Sequence, residues 1–358
     1  MNKKNILVVD DSALMRRVLC DIINGDDRFH VQDRATNGLE ALDLITRKSY
    51  DAVVLDVNMP RMNGLELLKE LQKRKISARV MMASTDTKEG AKTTMDSLEL
   101  GALDFIHKPD NAMDCRNGEF AERMLQILAV VADSKPPIFG KTFTMEELKT
   151  SKKMIELVSK HTASVPGNKI VAVASSTGGP RALQSVIPRL PKNLKAPVVI
   201  VQHMPAGFTS SLAERLDSLS EVKVKEAAEG DVLEAGTVYI AKGGKHLNIL
   251  TMTGKYVIHY SDEPPREGVK PCANYMYESL TSSRYDQIVC VVMTGMGADG
   301  TNGIQNLKAK KKLHVIAQEG STCTVYGMPK SIINTGMADQ VVPLEHIAQE
   351  IIMNVGVK

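Results

Sequence analysis

Residues 5–11 read Asn5-Ile6-Leu7-Val8-Val9-Asp10-Asp11: an aliphatic run leads directly into two aspartates, and Ser12 follows where a helix needs its cap. A short aliphatic run with no polar alternation fits a strand buried on both faces, the kind found in a parallel sheet covered by helices. Further candidate strands lie at residues 30–35, 52–56, 79–83 and 104–107. Between these runs lie amphipathic stretches. Leu14, Val18 and Ile22 recur every four residues, and Leu39, Leu42 and Ile45 make a helical face behind Asn37-Gly38. Residues 64–73, 88–100 and 119–131 supply three more helices. Five β–α units predict a doubly wound α/β domain over residues 1–130, with ligands at the carboxyl ends of its strands.

A second pattern of the same kind starts at Lys169. Runs at 170–174, 198–202, 237–241, 288–293 and 314–317 read as strands, and 247–259, with Thr253-Gly254 in its middle, reads as an antiparallel hairpin. These predict a second doubly wound parallel-sheet domain over residues 168–358. Residues 131–167 hold Pro136-Pro137, Gly140, Pro166-Gly167 and a lysine excess, as a linker does. Within them Thr144-Met145-Glu146-Glu147 spells a capping box and predicts a short helix.

Bulk composition excludes several classes. The 358 residues are 43% hydrophobic with a net charge of +3, which is globular and gives no bias towards nucleic acid or a membrane surface. No apolar run approaches the roughly 18–20 residues of a membrane span, and the N-terminal apolar stretch is too short for a signal peptide. Five widely spaced cysteines without a CxxC pair predict a reducing, cytoplasmic setting.

The strand ends carry the chemistry. Asp10 and Asp11 close the first run, Asp56 the third, Ser84 the fourth and Lys108 the fifth. Clustered carboxylates repel one another and need a cation; their hard oxygens suit Mg²⁺, while Lys108 adds a positive charge. A phosphoryl group on Asp56 would then rest on the metal, Lys108 and the Ser84 hydroxyl. These five residues, with Val54-Leu55-Asp56-Val57-Asn58-Met59-Pro60-Arg61-Met62-Asn63-Gly64, strongly resemble the receiver domain of two-component response regulators. The resemblance implies that Asp56 is phosphorylated by a histidine kinase. It implies that Asp10 and Asp11 bind Mg²⁺ with the Asn58 carbonyl, and that Ser84 and Phe105 form a switch pair.

In the second half, Ile170-Val171-Ala172-Val173-Ala174 runs into Ser175-Ser176-Thr177-Gly178-Gly179-Pro180. Neither GxxxxGK[ST] nor GxGxxG is present, so a tight turn or a nucleophilic serine remains. His203 ends the 198–202 run, and Asp299 follows the 288–293 run within Thr294-Gly295-Met296-Gly297-Ala298-Asp299-Gly300. Serine, histidine and aspartate at separate strand ends fit a nucleophile, a base and its partner, although GxSxG is absent. Residues 202–209, 230–247 and 319–330 complete a pattern similar to the chemotaxis protein-glutamate methylesterase family, CheB.

That resemblance implies hydrolysis of glutamyl γ-methyl esters on chemoreceptors, releasing methanol, with no cofactor for the esterase step, and deamidation of receptor glutamines in some members. It assigns Ser176 as nucleophile, His203 as base and Asp299 as its partner, and implicates Thr177 and Met296 around the oxyanion. The family usually has glycine at Ala174, serine at Cys272 and aspartate at Asn274. The last two departures predict altered surface or substrate-groove contacts. A receiver covering the Ser176 crevice would inhibit it, and phosphorylation would release it. The other readings are a C-terminal domain that only binds partners, or one that is mainly a deamidase.

Overall fold

The computed structural model describes residues 3–84, 88–109, 111–112, 114–116, 118–136 and 167–357. The expected capping box at Thr144 and the helix after it lie outside these residues. Two compact units result, Met1–Lys141 and Thr142–Lys358.

In the first unit, β1 (Lys4–Val9), β2 (Phe29–Ala35), β3 (Ala52–Asp56), β4 (Val80–Ser84) and β5 (Asp104–His107) pair in the order β2-β1-β3-β4-β5, all parallel. The helices α1 (Ala13–Asn24), α2 (Gly38–Arg47), α3 (Gly64–Lys73), α4 (Lys88–Glu99) and α5 (Gly118–Asp133) connect and follow them. The chain leaves β1 for one side of the sheet and returns to the other at β3. Asp10 and Asp56 therefore meet where the winding reverses, the place such sheets use for ligands. Side chains fix the helix starts: the Ser12 hydroxyl accepts from the Met15 N–H, and Asn37 accepts from the N–H groups of Leu39 and Glu40.

The expected apolar faces of α1 and α2 are corrected in phase. Leu14 and Leu39 are exposed, whereas Met15, Val18, Leu19 and Ile23, and then Gly38, Ala41 and Leu42, face the core. A four-residue spacing gives the period of a helix but not which of two adjacent stripes meets the sheet.

The second unit has a seven-stranded parallel sheet in the order β14-β13-β12-β6-β7-β9-β8. Its strands are β6 (Lys169–Ser175), β7 (Val198–Gln202), β8 (Lys223–Glu226), β9 (Thr237–Ile240), β12 (Gln287–Val292), β13 (Leu313–Gln318) and β14 (Gln340–Val342). The hairpin β10 (His246–Met252) and β11 (Lys255–Ser261) turns through Thr253 and Gly254, both at positive φ, as a two-residue turn requires. Helices α6 (Gly179–Val186), α7 (Phe208–Leu219), α8 (Ala273–Ser279), α9 (Thr301–Lys308), α10 (Met328–Asn334) and α11 (Leu344–Val355) complete the unit. The central strands β6 and β12 are buried almost throughout, so they read as plain aliphatic runs. Sequence reasoning missed β8 and β14. Both are edge strands with partly exposed residues, and Lys223-Val224-Lys225-Glu226 carries the charges that protect an edge.

All five cysteines are buried, and none is in a disulfide. No helix among the described residues is long and apolar enough to cross a membrane.

Candidate active site and acid pocket

The order reversal of the second sheet falls between β6 and β12, and the loops leaving both strands hold candidate catalytic residues. Parallel pairing sets Ser175 opposite Gln202, so Ser176 and His203 are the next residues along two adjacent strands. Gln202 ties them together. Its carbonyl oxygen accepts from the Ser175 hydroxyl at 2.7 Å, and its amide nitrogen donates to the Ser176 carbonyl at 2.9 Å and the His203 carbonyl at 3.2 Å. Gln202 is 1% exposed. A Cβ at Gly179 would stand 2.0 Å from the Gln202 carbonyl oxygen, so the second glycine of the Gly178-Gly179 pair makes room for this bridge.

The loop after β12 approaches the serine from the other side. The Ser176 N–H donates to the Thr294 carbonyl at 3.0 Å, and a Cβ at Gly295 would lie 2.7 Å from the Ser176 Cβ. Thr294 is itself fixed: its N–H donates to Gln318 at 2.8 Å and its hydroxyl to the Thr177 carbonyl at 3.0 Å. Ser176 and Thr177 are each 7% exposed, while Met296 is 38% exposed and offers an apolar side chain at the loop surface.

Asp299 completes the group. Its Oδ2 accepts from His203 Nε2 at 2.7 Å and from the Ala273 N–H at 2.6 Å. Its Oδ1 accepts from the Asn274 N–H at 2.9 Å and from the Cys272 thiol at 3.0 Å. Burial alone would push this carboxyl up, but the bonds from His203, Cys272 and Ala273 more than offset it and hold the group below its ordinary value. Asp299 is therefore an anion at neutral pH. An anion at Nε2 keeps the proton on that nitrogen and leaves the Nδ1 lone pair of His203 as the basic position.

The first unit gathers its expected residues as closely. Oxygen atoms of Asp10, Asp11 and Asp56 lie within 4.8 Å of one another. The Lys108 ammonium sits 3.0 Å from Asp10 and 2.7 Å from Asp56. Desolvation is the main reason the Asp56 carboxyl is raised; Lys108 opposes that shift and Asp10 adds to it. For Lys108, burial would favour the neutral amine, but the two carboxylates reverse this and raise its value. Ser84 and Phe105 are buried on β4 and β5, two parallel neighbours, and Asn58 lies exposed just beyond Asp56.

The sequence profile of the CheB methylesterase family matches residues 171–351, and that of the response regulator receiver domain matches residues 6–117. The chain is 43% identical over 350 residues to a protein-glutamate methylesterase/protein-glutamine glutaminase of Pyrococcus abyssi, covering 98% of this chain and 93% of that one. The chain belongs to the CheB methylesterase family. A Bacillus subtilis member is 38% identical over 354 residues, covering 97% of both chains. The crystal structure of the Thermotoga maritima CheB methylesterase catalytic domain is 45% identical, with a TM-score of 0.51, and matches 52% of this chain and 99% of that one.

Within this family frame, one expectation is overturned. Cys272 and Asn274 do not lie at a surface or in a substrate groove: both are fully buried. Cys272 and the Asn274 N–H bind Asp299, while the Asn274 side-chain oxygen accepts from Gly300 at 3.1 Å and Gly303 at 2.6 Å. They lie distant in sequence from His203 and Asp299, so no local pattern tied them to the site. Gln202 was also missed, though a buried amide at the last residue of an aliphatic strand is a readable signal.

Proposed function

We propose that this CheB-family chain hydrolyses glutamyl γ-methyl esters on chemoreceptors, releasing methanol, and deamidates receptor glutamines through the same intermediate. The observation that carries this reading is the bonded pair His203–Asp299 beside Ser176, at the reversal point of the second sheet.

Ser176 Oγ attacks the ester carbonyl while His203 Nδ1 takes its proton, and Asp299 stabilises the resulting imidazolium through Nε2. The carbonyl π bond becomes a tetrahedral oxyanion. Backbone amides around Thr177 and Met296 stabilise it. Collapse expels methanol, protonated by His203, and leaves an acyl-serine. Water, deprotonated by His203, then releases glutamate. From glutamine the same route expels ammonia.

Control lies in the first unit. Asp56 accepts a phosphoryl group from a histidine kinase, and Lys108 and Ser84 hold its oxygens, with Phe105 following Ser84. The donor set, three carboxylates within reach of one another, fits Mg²⁺, and Asp10, Asp11, Asp56 and the Asn58 carbonyl would hold it. When bound, the ion neutralises the charge that gathers at Asp56. Phosphorylation raises the esterase activity. The setting is the cytoplasm, with the receptor's signalling region as substrate.

The test is methanol release from methyl-labelled chemoreceptor membranes, with and without a small phosphodonor and Mg²⁺. Release should vanish in Ser176→Ala and lose its phosphodonor response in Asp56→Asn. No release from the wild-type chain with Asp56 demonstrably phosphorylated would defeat the esterase reading.

A further inference from the structure

Asp299 holds more donors than a carboxylate needs to orient an imidazole. Two are backbone N–H groups at the start of α8, from Ala273 and Asn274; one is His203; the fourth is the thiol of Cys272 at 3.0 Å. The thiol is fully buried. Burial first, then the charge of Asp299, raises its pKa far above the ordinary thiol value, so the proton stays on sulfur at any working pH. Cys272 is thus a fixed donor and not a thiolate. The backbone of Cys272 is anchored in turn: its N–H donates to Nδ1 of His246 at 3.2 Å, and His246 is itself fully buried on β10.

We infer that Cys272 is a positioning residue for the catalytic pair: its S–H fixes the plane of the Asp299 carboxylate and draws off part of its negative charge. The inference rests on the triad reading above. Charge drawn to Oδ1 by the thiol is charge withheld from Oδ2, where His203 binds. Removing the S–H leaves Oδ1 with the Asn274 N–H alone, makes Asp299 the stronger acceptor, and favours the imidazolium over the free base.

The other ionisable groups facing the pair cannot mimic this. Tyr277 of α8 is buried with a pKa raised well above its ordinary value and stays neutral. His246 is lowered mainly by burial, and its two bonds, to the Cys272 N–H and the Pro264 carbonyl, suit the neutral ring. Arg266 is bound to Glu278, which raises its pKa above the ordinary value, so it stays a cation throughout.

The test uses the full chain as Cys272→Ala and Cys272→Ser, read two ways. The first is the pH profile of kcat/KM for methanol release. In Cys272→Ala its acid limb should move up by about half a pH unit to one unit, with kcat falling several-fold and KM unchanged. In Cys272→Ser, a stronger donor of similar shape, the limb should stand at or below the wild-type position, with kcat restored. The second readout is NMR titration of the His203 ring, which needs no substrate, so it stands even if methyl esters prove not to be the substrate. It should move as the acid limb does. A limb and ring titration unmoved in Cys272→Ala, or moved up in Cys272→Ser, overturns the inference. If Cys272→Ala does not fold, the direction in Cys272→Ser decides alone.

Discussion

Replacing Gln202 by glutamate changes one NH₂ to an oxygen and almost nothing else in shape. The amide orientation is dictated by its neighbours, because the Ser176 and His203 carbonyls only accept and the Ser175 hydroxyl serves the remaining oxygen. In Gln202→Glu both donated bonds become oxygen facing oxygen in a site that is 1% exposed. The His203 carbonyl deprived of this donor costs about 1–3 kcal/mol, and the Ser176 carbonyl, although it keeps the Gly179 N–H at 2.7 Å, faces a repelling oxygen, so the loss comes to about 3 kcal/mol. For a unit of this size that is roughly 6–12 °C in the midpoint of thermal unfolding. The loss should also depend on pH. Burial raises the introduced carboxyl above its unfolded value near 4.3. Below that value it is protonated in both states and its O–H still satisfies one carbonyl. As pH rises towards the raised value, the penalty grows to its full size. Calorimetry at pH 5 and pH 8 should therefore find the larger deficit at pH 8, with kcat for methanol release reduced because the Ser176 and His203 loops lose their shared tie. A deficit under about 2 °C at pH 8, or an equal one at both pH values, would refute the bridging role.

Other outcomes follow from the same geometry. Asp299→Asn should cost on the order of 10⁴ in kcat, because an amide facing His203 no longer fixes the proton on Nε2. Gly295→Ala should destabilise the second unit and abolish methanol release, since its Cβ would stand 2.4 Å from Met328 Sδ and 2.7 Å from Ser176 Cβ. Asp56 is raised in the folded state, so its ionisation opposes folding, and the first unit should lose stability as pH rises above the ordinary carboxylate range. Asp56→Asn should then raise that unit's unfolding midpoint at pH 7 in the calorimeter. Mg²⁺ at ten times its dissociation constant should raise the wild-type midpoint as well, by about 1.4 kcal/mol of added stability, and much less in Asp10→Asn.

The fold was legible wherever burial was complete. β1, β3, β6, β7 and β12 are buried on both faces and read as aliphatic runs, and the residues that end them are the candidate site residues. The edges β8 and β14 were illegible because half-exposed strands carry charges that look like loop. Leu14 and Leu39 misled because periodicity fixes spacing and not phase. Ser176, His203 and Asp299 were legible as strand-end chemistry, and the structure brings His203 to Asp299. What supports them was less so: Cys272 and Asn274 stood out only as departures whose contacts with Asp299 the folded chain alone creates, and Gln202 signalled itself only as a polar residue closing an aliphatic strand.

The five buried thiols give the molecule an internal clock. A sulfhydryl reagent reaches none of them until the surrounding structure opens, so the rate of modification counts openings and not collisions. Cys20 and Cys115 time the first unit, and Cys272, Cys290 and Cys323 the second. Peptide mapping after brief exposure to such a reagent thus gives two opening rates from a single sample, and a kinase signal that loosens one half will be seen in that half's thiols alone.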